Sequence, residues 1–348
     1  MKVIKIIYIL LTAVIMILVM GIGCEDNRHR PSEPGTAPPS NNQPSTGTNT
    51  NTNKPPPAQT ESNTPAPVSG PPSFFDFPVP TATGERVEGN QKAEVDYSNA
   101  ADGYIMVRFL NPTDTQLRVR VIGPSGVEFP PYTLDQNGEF IVLPLSDGNG
   151  VYNDTVWEHI EGQKYALALN ADINVTLTNE LAPFLRPNQY VNFTPDSAIV
   201  QKAAELVGGK TEFFDKVEAI YHFVVNNITY DTDFAEAVIA GGNKGYLPDL
   251  DDVLRRGYGV CFDYAALMTG MLRSQGIPTK LVIGFAGDIY HAWISVFSEK
   301  DGWIENAITF DGNQWNLMDP TFASTGNQSA NVMQFIGDGE NYNAMFFY

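Results

Sequence analysis

Arg256-Gly-Tyr-Gly-Val-Cys261-Phe-Asp-Tyr-Ala-Ala-Leu-Met268 decides how this chain is read. Ala265, Met268, Met271 and Leu272 recur at helical spacing, and Gly276 and Pro278 supply the stop signals expected just past a helix C-terminus. A helix therefore opens near Cys261. The sequence holds 2 cysteines, and the other, Cys24, closes an apolar leader, so Cys261 has no cysteine to pair with in the body of the chain. A thiol in a first helical turn meets unpaired backbone N–H groups and the positive end of the helix dipole, which favour thiolate over thiol. Gly257 and Gly259 allow the tight backbone that delivers a chain into such a helix. The bland alternative is a buried, inert cysteine packed as a small hydrophobe.

Two later stretches weigh against that alternative. Ile289-Tyr-His291-Ala-Trp293-Ile-Ser-Val-Phe297 alternates as a strand, with His291, Trp293 and Ser295 on one face and Ala292, Ile294 and Val296 on the other. Trp315-Asn-Leu-Met-Asp319-Pro reads as a short strand ended by an acid and a proline. A helix-start Cys, a strand His and a strand-end Asp form a candidate triad in which Cys261 attacks, His291 moves the proton and Asp319 fixes the imidazole tautomer.

The run Gly257-Tyr-Gly-Val-Cys261-Phe-Asp-Tyr-Ala-Ala266, then Gly276-Ile-Pro-Thr-Lys-Leu-Val-Ile-Gly284, then His291-Ala-Trp293 and Asp319-Pro-Thr321, resembles the transglutaminase-like superfamily, as does Ile228-Thr-Tyr-Asp231 upstream. The resemblance covers roughly residues 185 to 325, about the size of one domain. It implies an α+β fold with a papain-like core and places the family's Cys, His and Asp on Cys261, His291 and Asp319. It also implies acyl transfer from an amide through a thioester, ending in cross-linking or in hydrolysis. One departure is an additional strand, Trp303 to Thr309, with a turn at Asp311-Gly-Asn313, between the His and Asp motifs.

At 348 residues the chain has room for about two domains beyond its ends. Lys2 and Lys5 precede an apolar run from Ile6 to about Gly21 that ends at Gly21-Ile-Gly-Cys24, the pattern of a secretory signal. Ending at a cysteine, it resembles a bacterial lipoprotein signal over residues 1–24 with Cys24 as the lipidation site. An uncleaved membrane anchor is the alternative, and either leaves the body on the extracellular face of the cell membrane. Residues 25–73 are Pro, Thr, Asn, Ser and Gly with almost no large apolar side chains, and such a stretch cannot offset its ordering entropy, so it reads as a disordered tether.

Residues 74–180 carry short alternating runs at Gly103–Leu110, Leu117–Ile122, Glu139–Leu145, Tyr165–Leu169 and Ile173–Thr178, with hairpin turns expected at Asn137-Gly138 and Asn170-Ala-Asp172. They predict a β-sandwich-like domain, with Trp157 in its core and His159 at its rim. Its expected role is spacing, substrate presentation or wall binding. Residues 181–348 form the second domain, opened by the proline-rich connector Leu181–Asn188. In it, Glu212–Val225 reads as a helix with Val217, Ile220, Tyr221 and Val224 on one buried stripe and His222 beside it, facing solvent.

A net charge of −19 argues against a nucleic-acid partner, since a phosphate backbone needs a basic face. Four scattered histidines and no paired cysteine spacing make no metal site, and no cofactor is expected. The expected partner is a protein or peptide substrate, cell-wall peptide among them, and the membrane through the N-terminus. The backbone N–H of Cys261 is one expected oxyanion donor, with Tyr230 or Tyr258 as the second. The competing reading is an extracellular or cell-wall binding protein that keeps the fold without turnover, or an adaptor whose β-domain carries the function.

Overall fold

The computed structural model describes residues 79–239, 242, 245–305, 319–325 and 341–348. The leader and Cys24, the tether, the stretch from Asn306 to Met318 and the turn at Asp311 lie outside them. All described residues belong to one compact unit.

The first half is built from β1 (Val87–Gly89), β2 (Ala93–Asp96), β3 (Tyr104–Phe109), β4 (Leu117–Ile122), β5 (Tyr132–Thr133), β6 (Ile141–Pro144), β7 (Gly150–Glu161) and β8 (Lys164–Val175). They form two four-stranded antiparallel sheets, ordered β1-β2-β3-β6 and β5-β4-β7-β8. Alternation places β4 without help: Leu117, Val119 and Val121 are buried, while Arg118 and Arg120 point outward and Arg120 clasps Glu128 through two hydrogen bonds of 2.5 and 2.7 Å.

Both expected hairpin turns are corrected. Asn170-Ala-Asp172 lies inside the 12-residue strand β8, opposite Thr155, Asp154 and Asn153 of β7. The Asn153 side chain donates to Asn170 Oδ1 at 3.0 Å and to Asp172 Oδ1 at 2.7 Å, which occupies these turn-prone residues across the strands. The turn that closes this hairpin is Gly162-Gln163, with Gly162 at a φ of 58°. At Asn137-Gly138 the chain does bend, held by Asp135 Oδ1, which accepts from the backbone of Asn137 and Glu139 at 2.7 and 3.1 Å. The bend carries the chain from β5 in one sheet to β6 in the other, so it closes no hairpin. Trp157 is only half-buried, beyond a register shift in β7, and its indole donates to Thr155 Oγ1 at 2.9 Å.

The second half holds α1 (Ala198–Val207), α2 (Phe213–Asn227), β9 (Thr229–Tyr230), α3 (Thr232–Ile239), α4 (Leu250–Arg256), β10 (Tyr258–Gly259), α5 (Cys261–Arg273), β11 (Thr279–Ala286), β12 (Ile289–Ser298), β13 (Gly302–Ile304), α6 (Pro320–Thr325) and β14 (Tyr342–Phe347). One sheet is ordered β13-β12-β11-β14, and β9 pairs in parallel with β10. The expected stripe of α2 is buried as read, and His222 faces solvent beside Glu218. Helix α5 is buried from Asp263 to Arg273, the central position in this half.

The two halves share a hydrophobic core in which β-strand residues such as Val119 and Tyr132 join helix residues such as Leu267 and Met268. Tyr348 joins them, its ring 4.5 Å from Tyr190, 5.9 Å from Phe129 and 6.1 Å from Tyr132. Arg273, fully buried, spends its guanidinium on three backbone oxygens: Thr279 at 2.9 Å, Arg186 at 2.7 Å and Tyr348 at 2.5 Å. A buried cation is tolerated where its donors are filled in this way.

Candidate active site

Cys261 is the first residue of α5, with Val260 extended before it as the N-cap. Three residues in, Asp263 turns back and accepts from the Val260 backbone N–H at 2.8 Å, satisfying a donor that the helix start leaves open. Its other oxygen takes the Tyr246 hydroxyl at 2.6 Å and meets Arg256 at 3.1 Å. Burial pushes the Asp263 carboxyl up, and these partners pull the other way. Gly259 is required by this arrangement, since a Cβ there would stand 2.5 Å from the Asp263 Cβ. Gly257 closes α4 in the left-handed region at a φ of 71°.

The Gly-Tyr-Gly segment also docks Ile228-Thr-Tyr-Asp231. Thr229 N–H donates to Gly257 O at 2.8 Å and Asp231 N–H to Gly259 O at 2.9 Å, so Tyr230 lies opposite Gly259, two residues from the thiol. The Tyr264 hydroxyl, the Ser324 hydroxyl and the Ile228 carbonyl oxygen meet at 2.6 to 3.1 Å, tying α5, the start of β9 and α6 at one point.

Asp319 stands just before α6, and its Oδ1 accepts from Thr321 N–H at 2.9 Å, an N-cap bond. Its Oδ2 lies 2.5 Å from His291 Nε2 and 3.2 Å from the Tyr342 hydroxyl. His291 sits on β12 opposite Gly284 of β11, with its ring stacked on Trp293 at 6.2 Å and 19°. The Cys261 side chain also lies close enough to the imidazole to favour its charged form. The three residues singled out in the sequence are therefore contiguous in space, although they come from a helix start, a strand and a loop.

Burial favours the neutral imidazole, but the Asp319 charge and hydrogen bond, joined by Cys261, outweigh it and raise His291 to about 10. Tyr230 is pushed up by burial and then by its proximity to Cys261. Tyr290, one residue before His291, is pushed up to about 12 by burial and by Cys261. Tyr258, by contrast, is 47% exposed, with the Arg256 guanidinium 5.3 Å above its ring. Of the two tyrosines named from the sequence, Tyr230 is the one beside the thiol.

Sequence reasoning missed Asp263, Tyr290 and Tyr342. An acid at the third position of a helix is a capping signal that could have found Asp263. Tyr342 reaches Asp319 from a separate strand and had no local signature. Among the described residues, no group of three or more His, Cys, Asp and Glu is arranged to hold a metal ion.

Residues 200–320 match the family model of the transglutaminase-like superfamily, so this α+β chain carries a transglutaminase-like domain. The Bacillus subtilis protein YebA, itself uncharacterized, is 27% identical over 121 residues, a match covering 29% of this chain. The chain spans 16% of that relative's length. The solved periplasmic domain of TgpA from Pseudomonas aeruginosa is similar at 14% identity and a TM-score of 0.31, over 74% of this chain and 81% of that one. Red sea bream transglutaminase is similar at 13% identity and a TM-score of 0.24, over 67% and 53%.

Proposed function

We propose that this protein is a thiol enzyme of acyl transfer, held at the extracellular face of a bacterial cell membrane through Cys24 and acting on peptide or glutamine amides of proteins or cell-wall peptides. The observation that carries the reading is the chain of contacts from Cys261 through His291 to Asp319. With Nε2 given to the carboxylate, Nδ1 is the ring nitrogen for the thiol. The Cys261 thiolate adds to the amide carbonyl, and the tetrahedral oxyanion takes the Cys261 backbone N–H and the Tyr230 hydroxyl. The C–N bond then breaks as the imidazolium gives its proton to the departing amine, leaving a thioester and a neutral imidazole. His291 next removes a proton from the incoming nucleophile, the thioester C–S bond breaks, and the thiolate returns. An incoming lysine amine gives an isopeptide cross-link; water gives hydrolysis.

Intact-mass measurement of the full chain mixed with dimethylcasein or a peptidoglycan digest tests the reaction. An adduct carrying the acyl part of the substrate, absent in Cys261→Ser, is expected; no adduct with either substrate, together with a Cys261 inert to iodoacetamide, would favour the binding-protein reading. Anchoring is tested separately by detergent phase separation of the expressed protein. Cys24→Ala should move it from the detergent to the aqueous phase, and unchanged partitioning would assign the anchor to the uncleaved leader.

A further inference from the structure

Asp319 Oδ2 has a second partner, and it lies outside the segment that the family model matches. The Tyr342 hydroxyl, at the start of β14, donates to that oxygen at 3.2 Å, beside the 2.5 Å contact to His291 Nε2. Its ring is fixed by packing: it stands edge-on to Trp293 at 5.1 Å and lies 6.5 Å from His291. The backbone below is fixed too, because Tyr342 pairs with Ala286 of β11, and β11 pairs with the strand that carries His291.

Resting on the acyl-transfer reading above, we infer that Tyr342 is a positioning residue of this site, acting through Asp319. A carboxylate oxygen can accept two donors, and Oδ1 is held by the Thr321 backbone, so the Tyr342 hydroxyl completes the fixing of the carboxylate at both ends. It sets the plane that His291 meets and draws off part of the charge on Oδ2. Among the described residues, ionisable groups facing the pair include Cys261 from α5, Tyr230 from β9 and Tyr221 from α2, with Tyr290 facing Cys261 from β12. Burial pushes each of these tyrosines up, so they stay protonated while His291 titrates. Orientation of the imidazole thus depends on a strand that supplies none of the three reacting groups.

Tyr342→Phe keeps the ring and deletes the donor. Iodoacetamide alkylation of Cys261 in the full chain is followed from about pH 5 to about pH 11 by peptide mass spectrometry, which separates Cys261 from Cys24. In the wild type the rate rises in two steps, the second as the imidazolium loses its proton. With the donor gone, more charge on Asp319 faces the imidazolium, so the second step moves up by roughly half a pH unit. Dansylcadaverine incorporation into casein should lose several-fold in kcat with KM little changed. In an Asp319→Asn background the same substitution should add nothing, because the hydroxyl works through that carboxylate.

A second step unmoved in Tyr342→Phe overturns the role of Tyr342 and leaves the thiolate–imidazolium pair standing. A single step in the wild type overturns both. If Tyr342→Phe does not fold, 3-fluorotyrosine at position 342 takes its place: a stronger donor must move the second step down, and an unmoved step refutes the inference.

Discussion

His291 Nε2 and Asp319 Oδ2 meet at 2.5 Å with both side chains almost wholly buried. Taking two such groups out of water is costly unless they are paired, and removing one partner leaves the other's charge uncompensated. The pairing raises the imidazolium to about 10 from an ordinary 6.5. A pKa raised on folding contributes stability that is complete below the unfolded value and is lost as pH rises through the folded one.

The first prediction follows from that sign. Between pH 6.5 and about 10 the unfolding free energy should fall more steeply in the wild type than in Asp319→Asn, with a difference accumulating to several kcal/mol. Urea melts of both proteins at several pH values give the comparison. Parallel curves would mean that the pair holds no imidazolium.

The second prediction separates chemistry from folding at Cys261. The thiol is half-buried at a helix start, and Cys261→Ser changes its volume little, so the thermal midpoint should stay within a few degrees. Amine incorporation or amide hydrolysis should fall by at least ~100-fold, because a hydroxyl supplies far less nucleophile than a thiol near neutral pH. Activity retained in the serine variant would remove Cys261 from the mechanism.

Much of the site was legible because its signals are local. A helix stop at Gly276, the alternation around His291 and the acid before Pro320 each follow from a few neighbouring residues, and the structure brings Cys261, His291 and Asp319 together. The failures share a physical cause. Asn170 and Asp172 look like turn residues alone and become strand residues only through Asn153 on the facing strand. Tyr342 reaches the site from β14, whose register on β11 no local pattern encodes. Asp154 was not singled out, although it shares the parity of Tyr152 and Val156, which strand alternation places on the buried face.

The third prediction concerns that acid. Asp154 is fully buried on β7, and among the described residues neither carboxylate oxygen has a hydrogen-bond partner. Burial, with Asp172 adding repulsion, raises it from 3.8 to about 7. For an acid this sign means that the fold disfavours the carboxylate, so stability is lost as pH rises from about 3.8 to about 7 and stays reduced above. Asp154→Val, a strand-compatible apolar replacement, should therefore stabilise the protein by roughly 2 kcal/mol at pH 8 and much less at pH 4. Equal gains at both pH values would show that the carboxylate carries no such penalty.

The last prediction joins the sheet to the site. Gly284 faces His291 across the β11–β12 ladder, and a Cβ at that position would stand 2.1 Å from Asn343 O and 2.8 Å from the Trp293 ring. The first neighbour is backbone, held in the β11–β14 ladder, so it cannot swing aside as a side-chain tip would. Gly284→Ala must push β14 away from β11 and shift Trp293 as well, which disturbs the contact between Tyr342 and Asp319 and the stack on His291. Overpacking of this kind costs roughly 1–3 kcal/mol. The informative result is the combination: a lowered thermal midpoint with a loss of turnover at least tenfold, measured at a temperature where the variant is still fully folded. A variant that is destabilised yet turns over at the wild-type rate would show that the β11–β14 register does not control the geometry of the site.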